Sequence, residues 1–369
     1  MGKKDSSAVA TEFGFHFQTD AGIAIMLEYL NNKDFQGLKM EGLEDIELRF
    51  NDKSVILAQA KASIDPNINF HNNTAKLKKA LKTLSTAGTK ANKVRKYIFI
   101  TNSSEPFRNE APNQNFYSYD DLDYQQLTEP VRDQLKEYTE KLKNKDIMLE
   151  AFELNKFNIV VLPFTGNDLN KRKRALRNLL DDWYGSLDVD IEGLIAKICQ
   201  IWQETVFENN TVFEDHQMKY NGKKLKHPEK KNRSIKKKDL IWPLIVLLVS
   251  RMRRSDDFYD SYLDGDYDYL MDEYYDIIKI TTERFRFITK VLSDFSFYED
   301  NIFNMSKKRR KRKDLDNEFI ESSWKDYVKL FGLNEISEKN DQEDLTKIIL
   351  HQIILNRRDI NKVKMRVGL

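Results

Sequence analysis

The apolar positions of the chain change their period near its middle. Residues 18–30, QTDAGIAIMLEYL, place Ala21, Ala24, Ile25 and Leu27 on one helical stripe. Two β-rich runs follow, EDIELRF at 44–50 and SVILAQAKA at 54–62, with Asn51-Asp52-Lys53 as a tight turn between them. AKLKKALKTL (75–84) predicts an amphipathic helix and KYIFITN (96–102) a strand. A polar stretch near 103–125 reads as a loop, 128–143 as a helix, and FNIVVLPFTG (157–166) as a strand closed by Pro163 and Gly166. The order helix, hairpin, helix, strand, helix, strand predicts an α/β domain with a mixed sheet flanked by helices.

From about residue 168 the strand signals nearly vanish. LNKRKRALRNLLDDWYG, IEGLIAKICQIWQETVF, DLIWPLIVLLVSRMRR, YDIIKITTERFRFITKVLSDF and EDLTKIILHQIILNRR all follow helical periodicity. The expected organisation is therefore an α/β domain at 1–168 and a mainly α-helical C-terminal domain at 169–369, the latter broken by a basic polar linker near 221–238. No internal repeat is evident.

A chain of 369 residues is long enough for two cores. Mean hydropathy of −0.65 and a charged fraction of 33% describe a soluble protein. Lys+Arg 61 against Asp+Glu 59 leaves a net charge of only +2, so the overall balance says nothing of a nucleic-acid partner and only the placement of charge can. The single cysteine, Cys199, excludes an internal disulfide and an all-cysteine metal site. It shares a helical stripe with Ile195, Ile198 and Trp202 and reads as a small buried hydrophobe. The start, MGKKDSSAVATEF, has no apolar run of the secretory kind. The longest apolar stretch, Leu240–Val249, contains Pro243 and is about half a bilayer span, so a buried helix is expected and no membrane segment. A cytoplasmic location follows.

The chemistry centres on EDI at 44–46 and QAK at 59–61. Phosphodiester hydrolysis uses a divalent ion to activate water and to offset negative charge in the transition state. Mg²⁺, with Mn²⁺ as its substitute, takes hard oxygen ligands. Asp45 offers a carboxylate, Gln59 an amide oxygen and Ala60 a backbone carbonyl. Lys61, two residues beyond Gln59 in a strand, points to the same face and can orient water or offset developing charge. The other reading is a solvated hairpin face with an Asp45–Lys61 salt bridge. Against it, both charges sit in runs apolar enough to be buried, where an unpaired charge is costly.

Five segments in order, GFHFQTDAGIAIMLEYL, EDIELRF, VILAQAKAS, KYIFITN and FNIVVLPFTG, resemble the restriction-endonuclease-like PD-(D/E)xK nuclease domain of bacterial antiviral effectors. That domain occurs in CBASS nuclease effectors and in the nuclease subunit of Lamassu-type defence systems, and the similarity covers about residues 10–170. It implies Mg²⁺-dependent cleavage of double-stranded DNA and activation by oligomerisation. It makes Asp45 the metal-binding acid, Gln59 the second ligand and Lys61 the catalytic lysine. Gln18 matches the polar residue that opens the first helix and faces the site. Gln59 replaces the acid of the commoner form, which implies weaker metal affinity until a DNA phosphate completes the site.

Other residues carry two readings. Glu28 and Glu41 are further acids near the metal or solvated positions, and His16 reads as structural. His71, His216, His227 and His351 form no metal spacing. Thr101 and Asn102 either touch DNA or cap a strand end. Lys76, Lys78, Lys79 and Lys82 either meet phosphates or form a solvated helix face. The basic run 307–313, KKRRKRK, is either a disordered, solvated loop or an electrostatic contact to DNA or a partner, and the acidic, tyrosine-rich segment 256–276 either imitates DNA charge, docks on a basic partner surface or packs against the basic run. No nucleotide-sensing signature appears in the second half, so a nuclease here requires restraint by partners. In Lamassu-like systems these are an SMC-like ATPase and an accessory subunit. The alternatives are a cyclic-oligonucleotide-activated CBASS-type nuclease and a non-catalytic DNA- or protein-binding scaffold.

Overall fold

The computed structural model describes residues 3–64, 70–107, 120–143, 152–162, 169–187, 189, 192–209, 234–251, 267–278, 282–305, 312–333 and 339–369. Its sheet has seven strands: β1 Phe35–Met40, β2 Ile46–Phe50, β3 Val55–Lys61, β4 Val94–Thr101, β5 Asp120–Asp123, β6 Phe157–Val161 and β7 Ile235–Lys236. Their order across the sheet is β5-β6-β4-β3-β2-β1-β7. The β3–β4 and β4–β6 pairs are parallel and the others antiparallel, so the sheet is mixed.

The expected hairpin is one half of a three-stranded meander. β1, FQGLKM, was not foreseen: its short run carries Gly37 and Lys39 among the apolar residues, which blurs the period-two signal. Gly37 is required, because a Cβ there would lie 2.2 Å from the Ile235 carbonyl of β7. β5, DDLD, lies within the stretch read as loop. It is an edge strand of three acids, with Leu122 opposite Ile159, and composition hides such strands. β4, β6 and the turn at 51–53 fall where expected, and Lys53 closes that turn with a positive φ of 62° and an N–H to the Phe50 carbonyl. Pro163 and Gly166 lie outside the described residues.

Alternation along the strands assigns the two faces. Leu38, Met40, Ile46, Leu48, Ile56 and Ala58 form one face. Helix α1, Lys3–Tyr29, covers it: a Cβ on Gly22 would touch Met40 and Leu38. Leu57, Tyr97, Phe99, Phe157 and Ile159 form the other, packed with Leu77, Leu81 and Leu84 of α2 (Phe70–Gly88) and Leu135 and Tyr138 of α3 (Glu129–Lys143). α1 begins well before residue 18, and its turns ahead of that residue bury Phe13, Phe15 and Phe17.

The boundary expected at 168 is displaced. One compact unit comprises Met1–Ser186 with Ile195–Lys237, and the second comprises Leu187–Leu194 with Lys238–Val367. The helices α4 (Leu169–Gly185) and α5 (Ile195–Glu208) belong to the first because their apolar faces need α1. Trp183 donates to Asn31 at 3.2 Å and packs on Trp202, and Gln203 donates to the buried Asp20 at 2.7 Å. His16 stacks on Phe207 at 5.0 Å, so it is structural, and Cys199 is a buried thiol outside any disulfide. Helical periodicity identified α4 and α5 but carried no information on the face they cover. β7 lies inside the stretch read as a linker, most of which is outside the described residues.

The second unit is helical where described: α6 Lys237–Ser250, α7 Tyr267–Ile277, α8 Thr282–Met305, α9 Arg312–Phe331, α10 Lys339–Leu355 and α11 Arg357–Val367. α6 carries Pro243 in its interior and buries Leu240 to Val249 almost entirely, as a core helix should. Tyr274 donates to the Val249 carbonyl at 2.6 Å, Lys347 pairs with Glu321 and Glu343, and Arg357 forks onto Asp316. His351 is buried, and burial lowers its pKa to about 4. Residues 307–311 of the basic run and 256–266 of the acidic segment, with His216 and His227, lie outside the described residues. Among the described residues no helix is long and apolar enough to cross a membrane.

Candidate active site

Register places the site. Ile46 pairs with Ala58, so the residue before β2, Asp45, faces Gln59 of β3. Both belong to the α2 face. Asp45 Oδ2 accepts from the Ala60 N–H at 3.0 Å and from Lys61 Nζ at 3.4 Å, and also from the Gln59 amide. Gln59 is buried, and its Oε1 accepts from the Thr83 hydroxyl of α2 at 2.5 Å. The Asp45 and Lys61 side chains are 13% and 25% exposed. The salt bridge of the solvated reading thus exists, but between two largely buried side chains rather than on an open face.

The cleft has a volume of about 470 Å³; its floor holds Asp45, Gln59, Glu41 and Glu44, and its α2 side holds Lys79, Lys82 and Thr83. The β1–β2 turn supplies the acids. Its N–H groups close on its own carbonyls, Glu41 to Asp45 and Gly42 to Glu44, with Glu41 at a positive φ of 48°. Buried Glu47 anchors it from below, accepting from the Leu43 N–H at 3.1 Å and from Arg49 Nε at 2.6 Å. Burial, then the Asp45 charge, raises both the Glu41 and the Glu44 carboxyls to about 7, with Lys61 opposing. Glu28, in contrast, is exposed on α1.

Gln18 lies well inside α1 rather than at its opening, because the helix begins at Lys3.

Asn102 caps: its side chain both donates to the Ser63 carbonyl and accepts from the Ser63 N–H, at 2.7 and 2.9 Å. Thr101 ends β4 buried and accepts from the Ser103 N–H. Lys76 turns inward onto the Ala62 carbonyl at 3.0 Å, and burial followed by the Lys61 charge lowers its pKa. Lys78 lies over the Tyr138 ring.

The donors suit a hard cation. Asp45, Gln59 and Ala60 offer only oxygen. In an extended strand the N–H and C=O of one residue point to the same side, so the Ala60 carbonyl opens on the side of Asp45. The amide of Gln59 turns its NH₂ to Asp45 and its oxygen to Thr83, so ligation by that oxygen beside Asp45 requires the amide to turn over. Among the described residues no group of three or more His, Cys, Asp or Glu is arranged to hold a metal. Glu44, Glu47 and Thr83 were not foreseen. Glu44 is adjacent to Asp45 in sequence, whereas Thr83 gave no signal beyond its place on a helix.

No protein-family model and no curated protein matches the chain. Among solved structures it is similar to the Acinetobacter baumannii Cap4 SAVED/CARF-domain receptor. With 3′3′3′-cAAA the identity is 12% and the TM-score 0.34, over 56% of this chain and 49% of that one. With 2′3′3′-cAAA they are 13% and 0.38, over 78% and 59%. The chain therefore spans about half the length of these structures. At such scores the likeness transfers neither ligand nor activity.

Proposed function

We propose that the chain is a Mg²⁺-dependent endodeoxyribonuclease of the PD-(D/E)xK type, acting on double-stranded DNA. The observation that carries this reading is the convergence of Asp45 and Gln59, from two adjacent strands, on one cleft, with Lys61 Nζ 3.4 Å from the Asp45 carboxylate. Asp45, Gln59 and the Ala60 carbonyl would hold the ion, which when bound supplies Lewis-acid activation of water and charge neutralisation. Lys61 is held by Asp45 in the free protein. Once that carboxylate is shared, its ammonium is available to orient water or to hydrogen-bond a phosphoryl oxygen. Glu44 and Glu41, raised to about 7, add negative charge that attracts a cation as pH rises through that value.

In this reading the chain is an effector of a bacterial anti-phage or anti-plasmid complex. An SMC-like ATPase and an accessory subunit restrain it, and release or homo-oligomerisation activates it. Support comes from the ordered likeness of residues 10–170 to such nuclease domains. Plasmid cleavage with Mg²⁺ tests the enzyme: the parent is expected to cut, and Lys61→Ala and Asp45→Ala to cut at least about a hundredfold more slowly with folding intact. Equal inertness of parent and variants in every assembly state would favour a scaffold. Cutting that requires an added cyclic tri-adenylate would favour the ligand-activated alternative.

A further inference from the structure

We infer that the exposed edge of α2, continued by Lys90, is a phosphate track for the DNA duplex; this rests on the nuclease reading. Lys79 and Lys82 stand one helical turn apart on the wall of the cleft, and Lys90 follows the end of α2 on the same wall. All three are exposed. A second concavity, about 440 Å³, adjoins the first through shared Leu43 and Lys90 and runs on to Lys53 at the β2–β3 turn. The result is one groove with an acidic floor at Asp45 and Glu44 and a basic rim.

A solvated helix face is the ordinary account of such lysines. What sets this row apart is its place: Lys79, Lys82 and Lys90 line the same cleft as Asp45 and Gln59. Among the described residues Lys79 and Lys90 have no ion-pair partner. Of their neighbours on α2, Lys76 turns inward to the Ala62 carbonyl, and the exposed Lys78 lies over the Tyr138 ring. Like charges on one helix edge disfavour the helix slightly, and a polyanion removes that repulsion. From Lys79 to Lys90 the row extends about 15 Å, the axial rise of roughly four nucleotides of one strand. A scissile phosphate at Lys61 would then have its flanking phosphates beside the row.

The test measures binding of a fluorescent 20-base-pair duplex by anisotropy in EDTA, which removes cleavage, from 50 to 200 mM salt. Full-length parent is compared with Lys79→Gln/Lys82→Gln/Lys90→Gln and with Lys78→Gln as control. The triple variant is expected to reduce the slope of log K against log salt by about 2–3, near 0.9 per lysine, and the control to leave it unchanged. An unchanged slope in the triple variant, or no duplex binding by the parent, overturns the track. Plasmid cleavage by the same proteins separates the two readings. Cutting by the parent with an unaltered triple variant rejects the track alone, whereas salt-dependent binding without any cutting rejects the nuclease alone.

Discussion

The Thr83 hydroxyl donates to the Gln59 amide oxygen across 2.5 Å, tying α2 to the middle of the candidate site. The same hydroxyl also lies 3.1 Å from the Ala80 carbonyl. It can therefore donate there and accept from the Gln59 NH₂ when the amide turns its oxygen toward a cation. Thr83, which also hydrogen-bonds Glu44, would then support Gln59 in either orientation. Thr83→Val is expected to raise the Mg²⁺ concentration for half-maximal plasmid cleavage about tenfold, the usual effect of losing an outer partner of a metal ligand. Thr83→Ser should retain the parent value. A metal titration of cleavage for the three proteins decides it.

The acids of the β1–β2 turn make stability depend on pH in an unusual direction. Glu44 and Glu41 rise to about 7 when folded, from 4.5 when unfolded. Between those values the folded state holds more protons than the unfolded state, so stability falls as pH rises through the window and is flat above it. Glu44→Gln removes its share. In metal-free buffer the variant should gain on the order of 1–2 kcal/mol over the parent at pH 8 and nothing near pH 4.5. Urea unfolding at both pH values measures the difference, and equal gains at both would refute it.

Lys237 gives the opposite slope. Burial lowers its ammonium to about 8, while its Nζ donates to the Asn32 carbonyl at 2.9 Å. Between 8 and the unfolded value of 10.5 the unfolded state binds more protons, so this group adds stability as pH rises. The parent minus Lys237→Met difference in unfolding free energy should increase by on the order of 1–2 kcal/mol from pH 7.5 to 9.5. The subtraction removes the background of the tyrosines.

What the sequence made legible follows from which signals are local. β3 and β4 carry long apolar runs, so they were visible, and the spacing of Gln59 and Lys61 fixed their common face. The β1 and β5 edges are short and charged, and strands of that kind owe their existence to neighbours. α4 and α5 were visible as helices, but their membership of the first unit depends on Trp183 meeting Trp202 and on Gln203 reaching Asp20. Within the site, Asp45, Gln59, Ala60 and Lys61 meet because register alone brings them together. Thr83 and Glu47 reach their partners through tertiary packing, which no spacing encodes. Gln18 was misplaced because its expected helix start came from where an apolar stripe began, while the helix itself starts at Lys3.

The turn that presents Asp45 is held from beneath by Glu47, and Gly42 is the residue that leaves room for it. A Cβ on Gly42 would lie 2.3 Å from Glu47 Oε2, so Gly42→Ala must displace a carboxylate that is bonded to the Leu43 N–H and to Arg49. Exposed glycine-to-alanine changes are often mild or stabilising, but one that breaks a buried charged hydrogen bond costs about 1–3 kcal/mol. Glu47→Ala loses the same bonds by removing the acceptor. In that background the added methyl meets no carboxylate. The two changes should therefore be strongly non-additive: Gly42→Ala destabilises the parent but has an effect within about 0.5 kcal/mol of zero in Glu47→Ala. Both singles should also slow plasmid cleavage, since the turn they loosen carries Asp45. A double-mutant cycle by urea unfolding, with cleavage rates alongside, tests the pair, and additive destabilisation would show that Gly42 serves the turn by some means other than space for Glu47.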